Sequence, residues 1–303
     1  MRLVRYCVSL QTDQVAKGDE FVSGTAIAEV ARTAEAAGFD AVFVTEHPFP
    51  ENEWLATGGH HALDPFVALT WAAAATTRLR MLTNLCVVPY RNPYLLAKAA
   101  VTLDAVSDGR LILGCGAGYL EAEFAALDQE FGDRNDRFDA AITAMQAAWT
   151  GEPVPVAGSG RSHTMLPRPV QSPHPPIWIG GNSRRALRRA VELGDGWMPF
   201  PNPAESAARR KTPALSTIEQ LAARLEEAHE LEATSGRTLQ DVMFSPVGAD
   251  AYGAPGWSAD QFRDIAAQME ALGVTMLAVH IPAPSRAEYC DLLAGFGSEV
   301  ISR

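Results

Sequence analysis

The sequence predicts a single (β/α)8 barrel with two insertions. Three observations lead there. Short, apolar, β-rich runs recur along the chain, each followed by an amphipathic helix with its own start and stop residues. Counting gives eight such units, the number that closes a barrel. No glycine-rich turn follows the first strand, where a doubly wound sheet would usually place its phosphate loop.

The strand candidates are 2–10, 41–45, 79–88, 111–115, 177–180, 196–199, 241–246 and 275–280. Most are apolar throughout rather than alternating, as a parallel sheet buried on both faces requires. Between them, Ile27, Val30, Ala31, Ala34 and Ala37 form a helical stripe that Gly38 ends. Asp64-Pro65 and Asn92-Pro93 read as an N-cap followed by proline in the first turn. Ser216 with Glu219, Ser258 with Gln261 and Ser285 with Glu288 fit capping boxes. Gly109, Gly194 and Gly273 follow helix ends. Segment 151–176 breaks the rhythm with repeated prolines, and segment 199–213 forms a second insert. All of 1–303 is read as one domain.

Composition narrows the function. The 303 residues are 47% hydrophobic and 20% charged, enough apolar residue for a large core. A net charge of −11 argues against nucleic acid and anionic membranes as partners, since phosphates need clustered Lys and Arg. The four cysteines, Cys7, Cys86, Cys115 and Cys290, form neither a zinc knuckle nor a disulfide framework. The first residues carry no long apolar run with a cleavage site, and no stretch reaches the ~18 residues of a membrane span. A cytoplasmic protein acting on a small molecule is expected.

In a βα barrel the chemistry lies at the C-terminal strand ends. That rule selects Ser9, Leu10 and Gln11; Glu46 and His47; Asn84 through Arg91; Gly116, Ala117, Gly118 and Tyr119; Gly180, Gly181 and Asn182; Trp197; and His280. His47 is the leading general acid or base, because imidazole titrates near neutrality. It could equally cap a strand end. Glu46 could orient His47 or point outward. The Gly114-Cys115-Gly116-Ala117-Gly118 run admits close approach of a flat ligand, or simply makes a tight turn. Gly180-Gly181-Asn182-Ser183 before a helix makes an anion site from free N–H groups, or an ordinary N-cap. Glu46, His47, His60, His61 and Asp64 lack metal-ligand spacing, so no metal is expected. No nucleophile elbow is present, and Cys86 and Cys115 sit at strand ends, as packing residues or as half of a Cys–His nucleophile pair.

Several motifs then occur in one order. They are Thr45-Glu46-His47, Pro89-Tyr90-Arg91-Asn92-Pro93, and Leu103-Asp104-Ala105-Val106-Ser107-Asp108-Gly109-Arg110. Next come Leu113 through Tyr119 with Glu121 and Glu123, then Pro175 through Asn182, and Gly194-Asp195-Gly196-Trp197. Together they resemble the bacterial luciferase-like superfamily and, more narrowly, its coenzyme F420-dependent oxidoreductases. The resemblance covers residues 1–200 well; the C-terminal third carries little motif.

The resemblance implies a luciferase-like TIM barrel with the deazaflavin over the strand ends. It implies a non-prolyl cis peptide at Asn84-Leu85 against the ring. It implies backbone contacts to the coenzyme phosphate near Gly180-Gly181 and around Gly116–Gly118. Coenzyme contacts are thus expected at Leu10, Asn84, Leu85, Arg91, Gly116, Ala117, Gly118, Tyr119, Gly180, Gly181 and Asn182. His47 becomes the proton donor or acceptor, with Glu46 beside it. Some relatives have a glutamate where Tyr119 stands, so a sugar-phosphate dehydrogenase role resting on that acid is not expected. The acidic coenzyme needs a basic mouth, for which Arg91, Arg184 and Arg185 are the candidates. Substrate walls are expected from 48–61 and the two inserts, and a homodimer is expected. The alternatives are an FMN-dependent monooxygenase using reduced flavin and oxygen, and a non-catalytic ligand-binding barrel.

Overall fold

Eight apolar runs pair side by side as parallel strands, and the last pairs back onto the first. The computed structural model describes residues 4–156 and 158–302. The strands are β1 (Arg5–Ser9), β2 (Ala41–Val44), β3 (Arg80–Thr83), β4 (Leu111–Gly116), β5 (Ile177–Gly180), β6 (Gly196–Met198), β7 (Asp241–Phe244) and β8 (Met276–Val279). Cys7 on β1 lies level with Ala41 on β2 and Ala278 on β8, which closes the ring. Each strand falls within, or one residue beyond, an apolar run read from the sequence. Arg2 and Leu3, expected in the first strand, lie outside the described residues.

The third strand comes in two pieces. β3 pairs with the start of β4, Met81 beside Leu111. After Thr83 the chain passes through a cis peptide bond between Asn84 and Leu85. It then rejoins β4 as Cys86–Val87, with Cys86 level with Cys115. The bond stands where the resemblance implied it.

Helices surround the barrel because their capping residues and apolar stripes leave them one way to pack. Asp64 accepts the Val67 N–H at 3.0 Å, and Asn92 accepts that of Tyr94 at 2.9 Å. Gly38, at φ 92°, ends the helix Gly24–Ala37 in the left-handed region that glycine enters without cost. One cap differs from expectation. Thr217, not Ser216, caps Ile218–Ser235, accepting the Gln220 N–H at 3.2 Å. That start places Leu221, Leu225 and Ala228 on the buried face.

Cys7, Ala41, Leu82, Ile112, Trp178, Met198, Met243 and Met276 fill the barrel's interior. A larger apolar layer lies between strands and helices. The proline-rich insert forms a small antiparallel ladder, Val154–Pro155 with Ser162–His163. Its return is anchored by fully buried Asp104. That carboxylate accepts the N–H groups of Val170 (2.7 Å) and Gln171 (3.2 Å) and the Gln171 side-chain amide (2.7 Å). Among the described residues no helix is long and apolar enough to cross a membrane.

Asp104→Ala removes the three charge-assisted hydrogen bonds that hold the insert's return. It should lower unfolding free energy by ~3 kcal/mol, read from the urea midpoint. A change below ~1 kcal/mol would contradict the anchoring role.

Candidate active site

The strand-end loops bring together a set of side chains that no single segment could hold. His47 follows β2 and is largely enclosed. Its Nδ1 lies 3.3 Å from Oε2 of Glu123, in the short helix Glu121–Ala126 after β4. Glu123 is fully buried, so its carboxylate needs partners. It has them: the Tyr90 hydroxyl donates to Oε2 at 2.7 Å, and the Phe49 N–H donates to Oε1 at 3.1 Å. Burial alone would raise its pKa, but the bonds from His47 and Tyr90 outweigh that and hold the carboxyl below its ordinary value.

Two aromatic neighbours fix the imidazole. Trp54 lies tilted against it, centroids 4.4 Å apart, and His60 meets it edge-on at 4.8 Å. Thr45 Oγ1 is 3.3 Å from His60 Nε2. Burial and the neighbouring His47 lower the His60 pKa, which favours its neutral form at pH 7. With Nδ1 of His47 turned to the carboxylate, Nε2 is left to exchange a proton with a ligand.

Glu46 takes a different place. Its Oε2 accepts the Val87 N–H at 2.6 Å, and its Oε1 is ion-paired with Arg91. Its bonds therefore run to Arg91 and Val87, and Glu123 is the carboxylate beside His47. Burial pushes the Glu46 pKa up, against the pull of Arg91. Arg91 also donates to Cys86 Sγ at 3.0 Å. This pair, buried on the Glu46 side, ties the restart of the third strand to the end of β2.

The glycines that end β4 and β5 answer first to packing. A Cβ on Gly116 would lie 2.4 Å from Leu85, and one on Gly180 would lie 2.3 Å from it. Their bareness admits the Leu85 side chain, which gives the mouth an apolar floor. Gly118, at φ 77°, turns beside Val87 and Phe124. Ala117 is half-buried beside it. Leu10 is buried in the layer between strands and helices.

After β5, Asn182 is also buried and fully engaged. Its amide bonds Phe200 and Pro213 in the second insert. Ser183 caps the helix Arg184–Glu192 by accepting the Ala186 N–H at 3.1 Å. The three arginines expected to form a basic mouth are all ion-paired. Arg91 meets Glu46, Arg184 meets Glu227 at 2.8 Å, and Arg185 meets Asp136 at 2.7 Å. The insert instead brings Arg209 and Arg210 near the half-buried Tyr119, whose phenol they draw toward ionisation against the larger effect of burial. Among the described residues no His, Cys, Asp or Glu group is placed to hold a metal.

Sequence reading expected segments 84–91 and 48–61 at the site, and so included Tyr90, Trp54 and His60 without singling them out, but it did not place Glu123 there. Glu123 and Tyr90 stood within the motifs, but nothing in their spacing tied them to His47.

Removing Arg91 leaves Glu46 buried and unpaired. Arg91→Met should cost ~3–5 kcal/mol of stability, and adding Glu46→Met should restore much of it. Both are read by denaturant unfolding. Equal losses in the single and double variants would contradict the pairing.

Comparison with known proteins agrees with this fold. The profile of the luciferase-like monooxygenase family matches residues 4–242. An F420-dependent glucose-6-phosphate dehydrogenase of Beutenbergia cavernae is 36% identical over 174 residues, 54% of this chain and 49% of that one. The match thus spans about half the length of that relative. Two solved structures share the fold. The monooxygenase RslO1 of Streptomyces bottropensis has a TM-score of 0.76 at 22% identity over 98% of this chain and 99% of its own. The coenzyme F420-dependent tetrahydromethanopterin reductase of Methanopyrus kandleri has a TM-score of 0.72 at 18% identity over 99% of each. From its barrel, its interrupted third strand and the span of the matching profile, the chain belongs to the luciferase-like monooxygenase family.

Proposed function

We propose that the chain is an oxidoreductase that uses coenzyme F420 and moves a hydride between it and a small organic substrate. The observation that carries this reading is the enclosed His47–Glu123–Tyr90 cluster at the rim of a mouth floored by Leu85. Relatives named as F420-dependent dehydrogenases support the choice of coenzyme.

The residues fit such a group. A planar ring needs an apolar floor, and the bare Gly116 and Gly180 let Leu85 supply one. An anionic tail needs N–H donors, and the Gly180–Ser183 turn leads into a helix N-terminus. When bound, F420 supplies or accepts the hydride at one ring carbon. The chain's own residues do the rest. His47 Nε2 gives or takes the proton that accompanies the hydride at the substrate. Glu123 fixes the imidazole and favours its protonated form when it holds that proton. Trp54 and His60 shield the pair from water. Glu46 and Arg91 act one layer behind, as positioning residues for the third strand.

The named substrate of the relatives is not carried over. Tyr119 occupies the position where the resemblance placed an acid, and a half-buried phenol can stack or donate a hydrogen bond but is no carboxylate at neutral pH.

His47→Ala should lower kcat by ~10² to 10⁴ while leaving F420 affinity unchanged. Glu123→Gln should also lower kcat, by less than His47→Ala, because a neutral amide holds the imidazole less firmly than the carboxylate does. Steady-state kinetics beside a fluorescence titration of F420 reads both. Unchanged turnover in His47→Ala would overturn its role.

A further inference from the structure

The second insert is a strap with a fixed neck and a cationic tip. Two buried asparagines close the neck. Asn182 donates to the carbonyls of Phe200 (2.9 Å) and Pro213 (3.1 Å) and accepts the Phe200 N–H (3.0 Å). Asn202 donates to those of Thr212 (3.0 Å) and Pro213 (3.1 Å), and bridges Leu215 through its backbone. Between these points the chain must leave the β6 end as a loop.

That loop crosses the mouth. β6 and β2 stand opposite each other in the ring, yet Arg209 Nη1 donates to the Thr57 carbonyl at 2.8 Å, in the segment after β2. Lys211 reaches Glu121 after β4 at 3.6 Å and sits over the Phe131 ring at 4.5 Å. Thr57 directly follows the short helix Asn52–Ala56, whose Trp54 packs against His47. The strap thus brings its tip to the same entrance that His47 faces.

The charges there are not neutralised within the chain. Among the described residues Arg209 and Arg210 pair with no carboxylate; Arg210 rests near the Phe200 ring and bonds Asn202 and Pro201 oxygens at 3.3 and 3.4 Å. Arg91, Arg184, Arg185, Arg188 and Arg189 are all ion-paired. In a chain of net charge −11, two guanidinium groups without carboxylates at the mouth make a local field that attracts anions. Arginine's planar fork suits a carboxylate or a phosphate.

We propose that the strap selects the substrate: Arg209 and Arg210 hold a carboxylate or phosphate group on it while its reacting end faces His47. This inference rests on the oxidoreductase reading for its reacting end, but the anion site is testable without turnover. The same anionic chemistry could belong to the coenzyme's tail, and the test separates the two.

The full-length protein is titrated with inorganic phosphate, following tryptophan fluorescence, with and without saturating F420. Wild type should respond saturably in both conditions. The Arg209→Ala/Arg210→Ala double variant should bind phosphate at least ~10-fold more weakly, while its F420 affinity stays within about twofold. Arg209→Lys/Arg210→Lys, which keeps the charges, should retain most of the binding. Arg188→Ala, on an exposed helix face, should change nothing. Absence of a saturable response, or equal binding in the double variant, overturns the proposal. Displacement of phosphate by F420, or lost F420 affinity in the double variant, also overturns it and assigns the arginines to the coenzyme. Failure of F420 to bind while the phosphate result stands would instead overturn the oxidoreductase reading.

Discussion

The carboxylate of Glu123 carries a charge inside the protein, and the mouth is arranged around satisfying it. It is fully buried, yet its oxygens take bonds from Tyr90, from the Phe49 backbone and from His47. These partners come from the ends of two strands, β2 and the third, and Glu123 itself from the end of β4, so one group sets the relative positions of three loops. A buried carboxylate with fewer donors would protonate or open the site to water. With these donors it stays charged and gives His47 a fixed face. The imidazole then has one nitrogen committed to the protein and one free for chemistry.

A second buried charge, on Glu46, has a different task. It is spent on Arg91 and the Val87 N–H, and so closes the gap left where the third strand breaks. The break itself matters because it carries Leu85 to the mouth, where Gly116 and Gly180 leave it space. Two adjacent residues, Glu46 and His47, thus serve support and chemistry respectively. Their side chains leave the loop after β2 in different directions, Glu46 to Arg91 and Val87 and His47 to Glu123.

The barrel was legible because its signals are local. An apolar run, a capping Asp or Asn, a proline and a terminal glycine each act within a few residues, and Asp64, Asn92 and Gly38 do what their types suggest. His47 was legible from its place at a strand end. The partners of His47 were not, because Glu123 lies 76 residues away and arrives only through the fold. The arginines were misread for the same reason: Arg184 and Arg185 look free in sequence, but Glu227, Asp136 and Asp139 come to them through tertiary packing. The glycine run was half legible. It marked a close approach, yet the approaching group at Gly116 is Leu85 of the chain itself.

The identity of the coenzyme decides the chemistry of the mouth. The most direct measurement is a competition on the full-length protein, with F420 and FMN titrated separately and together by fluorescence and oxygen uptake followed alongside. Saturable F420 binding at least about 10-fold tighter than that of FMN, with no oxygen consumption, is the expected result. Tight FMN binding with oxygen uptake, and no binding of F420, would contradict it.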